Sequence, residues 1–133
     1  MIVQDIHIYK YDWVVRAYFN VDDYYPFIVR DLKDIGCNDG SDMLKGLLNN
    51  SPNSGFTFSS PYNKASVLVV SVCSSPEQFQ NTFDHEKGHL AMHIAETFDI
   101  NVYSEEFQYL TGSIGQLLYL GAKDYICDCD NQK

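Results

Sequence analysis

The stretch His85-Glu86-Lys87-Gly88-His89 sets two imidazoles four positions apart with a carboxylate beside the first, the pattern H-E-x-x-H. On a helix, four residues at about 1.5 Å each bring both rings to one face, one turn apart. There they can share an ion at zinc–nitrogen distances of about 2.0 Å. Glu86 projects about 100° from His85, which is poor for a close ligand but suits a general base acting on a water at the ion. The competing reading is two ordinary surface or capping histidines. It is the weaker one, because the stretch falls inside the strongest helical pattern of the chain, directly after a central strand.

Two histidines and a water leave one protein ligand to be found. Ser104-Glu105-Glu106 opens the next helical pattern, a short link beyond the first. Glu105 shares a helical face with Gln108, Gly112 and, more loosely, Gly115, a strip of small residues that would let two helix backbones approach around an ion. Glu106 lies nearer the Leu110 and Leu117 face. Glu105 is therefore favoured as the third ligand, with Glu106 as the alternative. His93 extends the ladder of His85 and His89 but lies about 12 Å along the axis from His85, too far for one ion on a straight helix. It reads as a supporting or core-edge histidine, and His7 as an ordinary strand residue.

These side chains need a frame, and the apolar periodicity supplies one. Residues 1 to 20 alternate, with Ile6, Ile8, Trp13, Val15, Ala17 and Phe19 toward one face, which predicts an antiparallel hairpin turning at Lys10 to Asp12. Asp22-Asp23 are N-cap candidates for a short helix with Pro26 in its first turn and Phe27, Ile28, Leu32 and Ile35 at helical spacing before Gly36. Leu44, Leu47 and Leu48 suggest a second short helix, and Asn49 to Gly55 is turn chemistry. Phe56 to Ser59 is a brief strand. Ala65 to Cys73 is β-branched and nearly continuous, as expected of a central strand covered on both faces. Ser75-Pro76-Glu77-Gln78 is a capping box opening a helix from about Pro76 to Phe98. Asp99 to Tyr103 then links to Ser104, the N-cap of a final helix with Phe107, Leu110, Ile114, Leu117 and Leu118 inside.

The fold class predicted is α+β in one domain spanning 1–133. A small, mostly antiparallel sheet is covered by the two long C-terminal helices and a short N-terminal one.

His85-Glu86-x-x-His89 followed by Glu105 in a downstream helix resembles the gluzincin branch of zinc metallopeptidases, in the compact layout of minimal gluzincins. It is most similar to short zincin-like proteins of phage and mobile-element genomes, in which a glutamate and a Tyr-Leu-x-Gly segment open the second helix; here that segment is Tyr109-Leu110-Thr111-Gly112. The resemblance covers about Cys73 to Leu118. It implies Zn2+ held by His85, His89 and Glu105, Glu86 as the catalytic base toward a zinc-activated water, and a substrate strand laid along the sheet edge. No large second subdomain is present to wall a cleft, and Tyr103 and Tyr109 are the candidates for an oxyanion stabiliser.

With eighteen acidic and nine basic residues the chain carries a net charge of −9, which argues against a nucleic-acid phosphate-backbone binder. Hydrophobic residues at 45% and charged residues at 20% exclude intrinsic disorder and low-complexity fibres. The N-terminus has no basic n-region, and the longest apolar run is too short for a bilayer, so a cytoplasmic protein without a membrane partner is expected. Cys37, Cys73, Cys127 and Cys129 are read as free thiols, and the C-x-C pair as part of a frayed tail.

The leading expectation is a hydrolase of peptide bonds acting on a peptide or protein substrate. A metal-binding interaction module without turnover is the alternative. An acidic nucleic-acid mimic is the third option, weakened by acids that are dispersed rather than regularly strung.

Overall fold

The computed structural model describes residues 1–126; Cys127 and Cys129 lie outside the described residues. Strand β1 (Ile2–Ile8) turns through a short 3-10 segment, Tyr9–Tyr11, into β2 (Trp13–Val21). Asp12 closes that turn in the left-handed region at φ 50°, a conformation aspartate tolerates better than most residues. Helices α1 (Pro26–Asp34) and α2 (Gly40–Asn49) follow, then β3 (Gly55–Ser60), β4 (Ala65–Ser71), α3 (Pro76–Phe98) and α4 (Glu105–Ile126).

The sheet order is β1-β2-β4-β3. β1 pairs antiparallel with β2, β3 pairs antiparallel with β4, and the central β2–β4 pair is parallel. The sheet is thus mixed, and the predicted hairpin is present with Ile6 opposite Val15 and Ile2 opposite Phe19. The parallel centre follows from connectivity. The two short helices intervene between β2 and β3, and such a crossover lets the β3–β4 hairpin return beside β2 in the parallel sense.

Helices cover both faces of the sheet, not only the face of the long pair. Leu68 and Val70 of β4 join Val15, Ala17 and Phe19 of β2 against Phe79, Phe83, Leu90 and Ile94 of α3 and Ile114 and Leu118 of α4. Val67 and Val69 point the other way, with Phe56 and Phe58 of β3, and meet Ile28, Leu32, Leu44 and Leu47 of α1 and α2. Strand alternation sends successive side chains to the two layers, which explains why β4 is buried at every position. Asn20 at φ 64° makes a bulge, and the register shifts between Phe19 and Val21. Phe19 therefore packs under the long helices while Val21, two residues on, packs under the short ones.

Local chemistry sets the helix ends. The Ser75 hydroxyl accepts from the Gln78 N–H at 3.1 Å, and the Ser104 hydroxyl from the Phe107 N–H at 3.2 Å, as their sequences imply. Gly36 at φ 97° ends the first helical segment, with its N–H bonded to the Lys33 carbonyl. The predicted Asp22-Asp23 cap is displaced. Tyr25 stands at the N-cap of α1 without a side-chain bond, while Asp22 accepts from the Tyr25 hydroxyl and Asp23 from the Tyr24 N–H. Among the described residues no helix is long and apolar enough to cross a membrane.

Candidate metal centre on helix α3

The N-cap at Ser75 and the apolar stripe Phe79, Phe83, Leu90 and Ile94 set the rotation of α3 on the sheet, and that rotation decides where the polar residues face. His85 and His89 lie on its exposed side. Their Nε2 atoms stand 3.0 Å apart, with ring planes near perpendicular at 84°. Two zinc–nitrogen bonds of about 2.0–2.1 Å span that separation, so the pair fits zinc as two of its donors. Without an ion, one ring N–H can donate to the other ring's nitrogen.

Glu86 faces inward. It is 3% exposed, one of few buried polar residues, and lies against β3. Thr57 Oγ1 donates to its Oε1 at 2.8 Å. Gly55 accommodates the rest of the side chain, since a Cβ there would stand 2.9 Å from Glu86 Cγ and 3.2 Å from Oε2. The inner face of β3 therefore consists of Gly55, Thr57 and Ser59, while Phe56 and Phe58 serve the opposite core. That alternation of small or polar with aromatic residues is the sequence signal that marks β3 as the partner of Glu86. As the last strand in the sheet order, β3 also carries an unpaired edge.

His93, one turn beyond His89, bonds Ser59 Oγ through Nδ1 at 2.6 Å, and its ring stacks at 6.2 Å from that of His89. Burial, helped by the charge His89 can carry, holds the His93 imidazole below the ordinary histidine range; Glu96 pulls weakly the other way. A groove of about 470 Å³ opens here, lined by Ser59, Pro61, His93, Glu96 and Thr97.

No known protein family, curated protein or solved structure matches this chain.

The structure does not bring Glu105 to the histidines. Helices α3 and α4 form an antiparallel hairpin closed by residues 99–104, and Lys87 Nζ lies 3.8 Å from where a Cβ on Gly115 would stand. Glu105 is ten residues from Gly115, about 15 Å along α4, at the closed end of the hairpin. Lys87, two residues from each histidine, is also rotated about 200° from them, so the face of α3 toward α4 is roughly opposite the histidine face. The physical reason is that α3 continues nine residues past His89 before the chain turns back. Glu106 ion-pairs with Lys10 at 3.3 Å, and Tyr103 and Tyr109 stand largely in solvent. Among the described residues no group of three or more His, Cys, Asp or Glu side chains gathers so as to hold a metal ion.

His7 is an ordinary strand histidine, bonded to Asp12 at 2.8 Å. A larger cavity of about 640 Å³, lined by residues of β1, β2, β4 and α1, contains none of the H-E-x-x-H residues. The Arg16 guanidinium on its wall is held by Asp5 at 2.7 and 2.9 Å and by Asp31 at 3.2 Å, leaving little unspent charge for an anion.

Proposed function

We propose that this protein is a zinc-dependent hydrolase of peptide bonds, built in the manner of a minimal gluzincin and acting in the cytoplasm. His85 and His89 would hold the ion. The observation that carries this reading is the convergence of those two Nε2 atoms on the helix whose Glu86 carboxylate is held against an open-edged strand. Zinc, when bound, supplies a Lewis acid that polarises the scissile carbonyl.

Glu86 is the general base. Thr57 occupies Oε1, which leaves Oε2, beside the bare Cα of Gly55, as the oxygen that takes a proton from the attacking water and later returns it to the departing amine. A peptide adds as a further strand along β3, its backbone bonding to the unpaired edge. The net charge of −9 favours basic peptides.

The test is elemental analysis of protein purified without chelator or a nickel column, beside His89→Ala and Glu86→Gln, followed by digestion of a peptide library. One zinc per chain is expected in wild type and in Glu86→Gln, none in His89→Ala, with cleavage in wild type alone. A folded wild type that takes up no added zinc would sink the proposal.

One observation favours a second reading. The described residues gather only two metal donors, which suits an interaction module whose ion takes its remaining donors from a partner chain. In that case zinc would tighten partner binding, and Glu86→Gln would leave the binding unchanged.

A further inference from the structure

A line of hydrogen bonds runs from the core to the groove beside the histidines. Trp13 Nε1 bonds Ser66 Oγ at 2.8 Å, Ser66 Oγ bonds Ser59 Oγ at 2.7 Å, and Ser59 Oγ bonds His93 Nδ1 at 2.6 Å. The direction of this line follows from proton counting. An indole N–H can only donate, so Ser66 is an acceptor toward Trp13. Ser66 is 3% exposed, and its other hydrogen-bond partner among the described residues is Ser59, so its own proton goes there. Ser59, having accepted, donates its proton to His93 Nδ1. Reversing the last bond would leave a hydroxyl proton without a protein acceptor in a partly buried place, which costs more than the bond itself contributes.

We propose that this relay fixes His93 as the Nε2–H tautomer and makes that N–H a standing donor for a backbone carbonyl oxygen of a peptide lying along β3. The proposal rests on the reading of β3 as a peptide-docking edge. Three further facts fit it. Burial pushes the His93 imidazole below the ordinary histidine range, which favours its neutral form. Nε2 makes no hydrogen bond among the described residues, and none of their buried side-chain nitrogens or oxygens lacks a partner, so Nε2 is open to the groove. Ser59 belongs to β3 itself, so the donor is registered to the strand that a peptide would extend. A ring free to exchange tautomers would offer a donor only part of the time; one locked from behind offers it before the peptide arrives.

Two measurements on 15N-labelled full-length protein test this. The first reads the histidine tautomers from ring nitrogen–carbon-bound proton correlations. His93 is expected with Nε2 protonated and Nδ1 bare, and Ser66→Ala is expected to release it into a mixture of both tautomers. The second titrates the capped peptide Ac-Lys-Val-Thr-Val-Lys-NH2 into the protein. The His93 ring and the β3 amides should shift together, and His93→Phe should weaken binding about fivefold, the scale of one neutral hydrogen bond.

A protonated Nδ1 in wild type overturns the proposal. So does a peptide that moves the β3 amides and leaves the His93 ring unmoved; in both cases the hydrolase reading stands. Silence from β3 and His93 alike overturns the docking edge and the proposal together, and zinc content and library cleavage then judge the hydrolase separately.

Discussion

Thr57 and Glu86, far apart in sequence, meet through a 2.8 Å hydrogen bond that ties the edge strand to the helix bearing both histidines. It joins β3 directly to the H-E-x-x-H segment. Thr57→Val keeps the shape and removes the donor, leaving a 3%-exposed carboxylate short of its hydroxyl partner. A loss of about 1–3 kcal/mol in urea-unfolding free energy is expected, with Thr57→Ser losing much less. Equal stability of the valine variant would show that water replaces the hydroxyl.

Gly55 is the other half of that fit. Adding a methyl group there puts it 2.9 Å from Glu86 Cγ and 2.9 Å from the Val69 carbonyl oxygen. Gly55→Ala should cost about 1–3 kcal/mol. Because one of the two clashes is with Glu86, the double variant Gly55→Ala with Glu86→Ala should be more stable than the sum of the single effects predicts. Strict additivity in this double-mutant cycle would mean that the Val69 carbonyl carries the whole cost.

The helical hairpin makes a prediction about the proposed zinc site. Because Glu105 stands ten residues, about 15 Å along α4, from the Gly115 that lies beside the Lys87 side chain, Glu105→Gln should leave affinity for the proposed zinc within a factor of two, whereas His85→Ala or His89→Ala should abolish tight binding. Competition with a fluorescent chelator reads this directly. Loss of affinity in Glu105→Gln would mean that the ion draws the hairpin into another arrangement.

Cys37 is 2% exposed, and burial, with Asp39 beside it, pushes its thiol up to about 11. Thiolate is the reactive form, so native protein at pH 8 should leave Cys37 unalkylated by iodoacetamide. Peptide mapping should find it fully modified only after denaturant is added. Modification of native Cys37 at the rate of a free thiol would show that the loop after α1 opens readily.

Asp5 gives a pH signature. The hydrogen bonds from Arg16 hold its carboxyl below the usual aspartate range, against a smaller upward push from burial. A lowered native value means that the unfolded chain binds the proton first as pH falls. The pair therefore stabilises fully above about pH 4, the unfolded aspartate range, and its contribution is lost as pH drops through the native value. Both side chains are well exposed, so the effect is small, about 1 kcal/mol or less. Arg16→Met should be less stable than wild type at pH 7, with the difference shrinking below about pH 4. A difference that stays constant with pH would assign it to packing of the arginine stem.

Much of the fold is legible in the chain because it is decided within a few residues. Period-two alternation in Ile6, Ile8, Val15 and Ala17, the caps at Ser75 and Ser104 and the glycine stop at Gly36 are each settled by neighbours in sequence. The α+β class, the β1–β2 hairpin and both long helices are present as their patterns require. The placing of His85 and His89 one turn apart is of the same kind, since helix geometry alone aligns them.

What only tertiary structure decided is which elements meet. The run of β4 already called for cover on both faces, but the parallel β2–β4 pairing, the choice of α1 and α2 as the second cover and the end of β4 at Ser71 rather than Cys73 depend on packing that no local pattern encodes. Glu105 and the histidines share a motif-like spacing, yet the length of α3 past His89 sets the level at which α4 begins and carries the carboxylate away. The converse holds for Trp13, Ser66, Ser59 and His93, which carry no spacing signal and form one line because β2, β4, β3 and α3 stack there. Spacing along a chain fixes distances within one helix or strand; between elements, distance is set by where each hydrophobic face finds its partner.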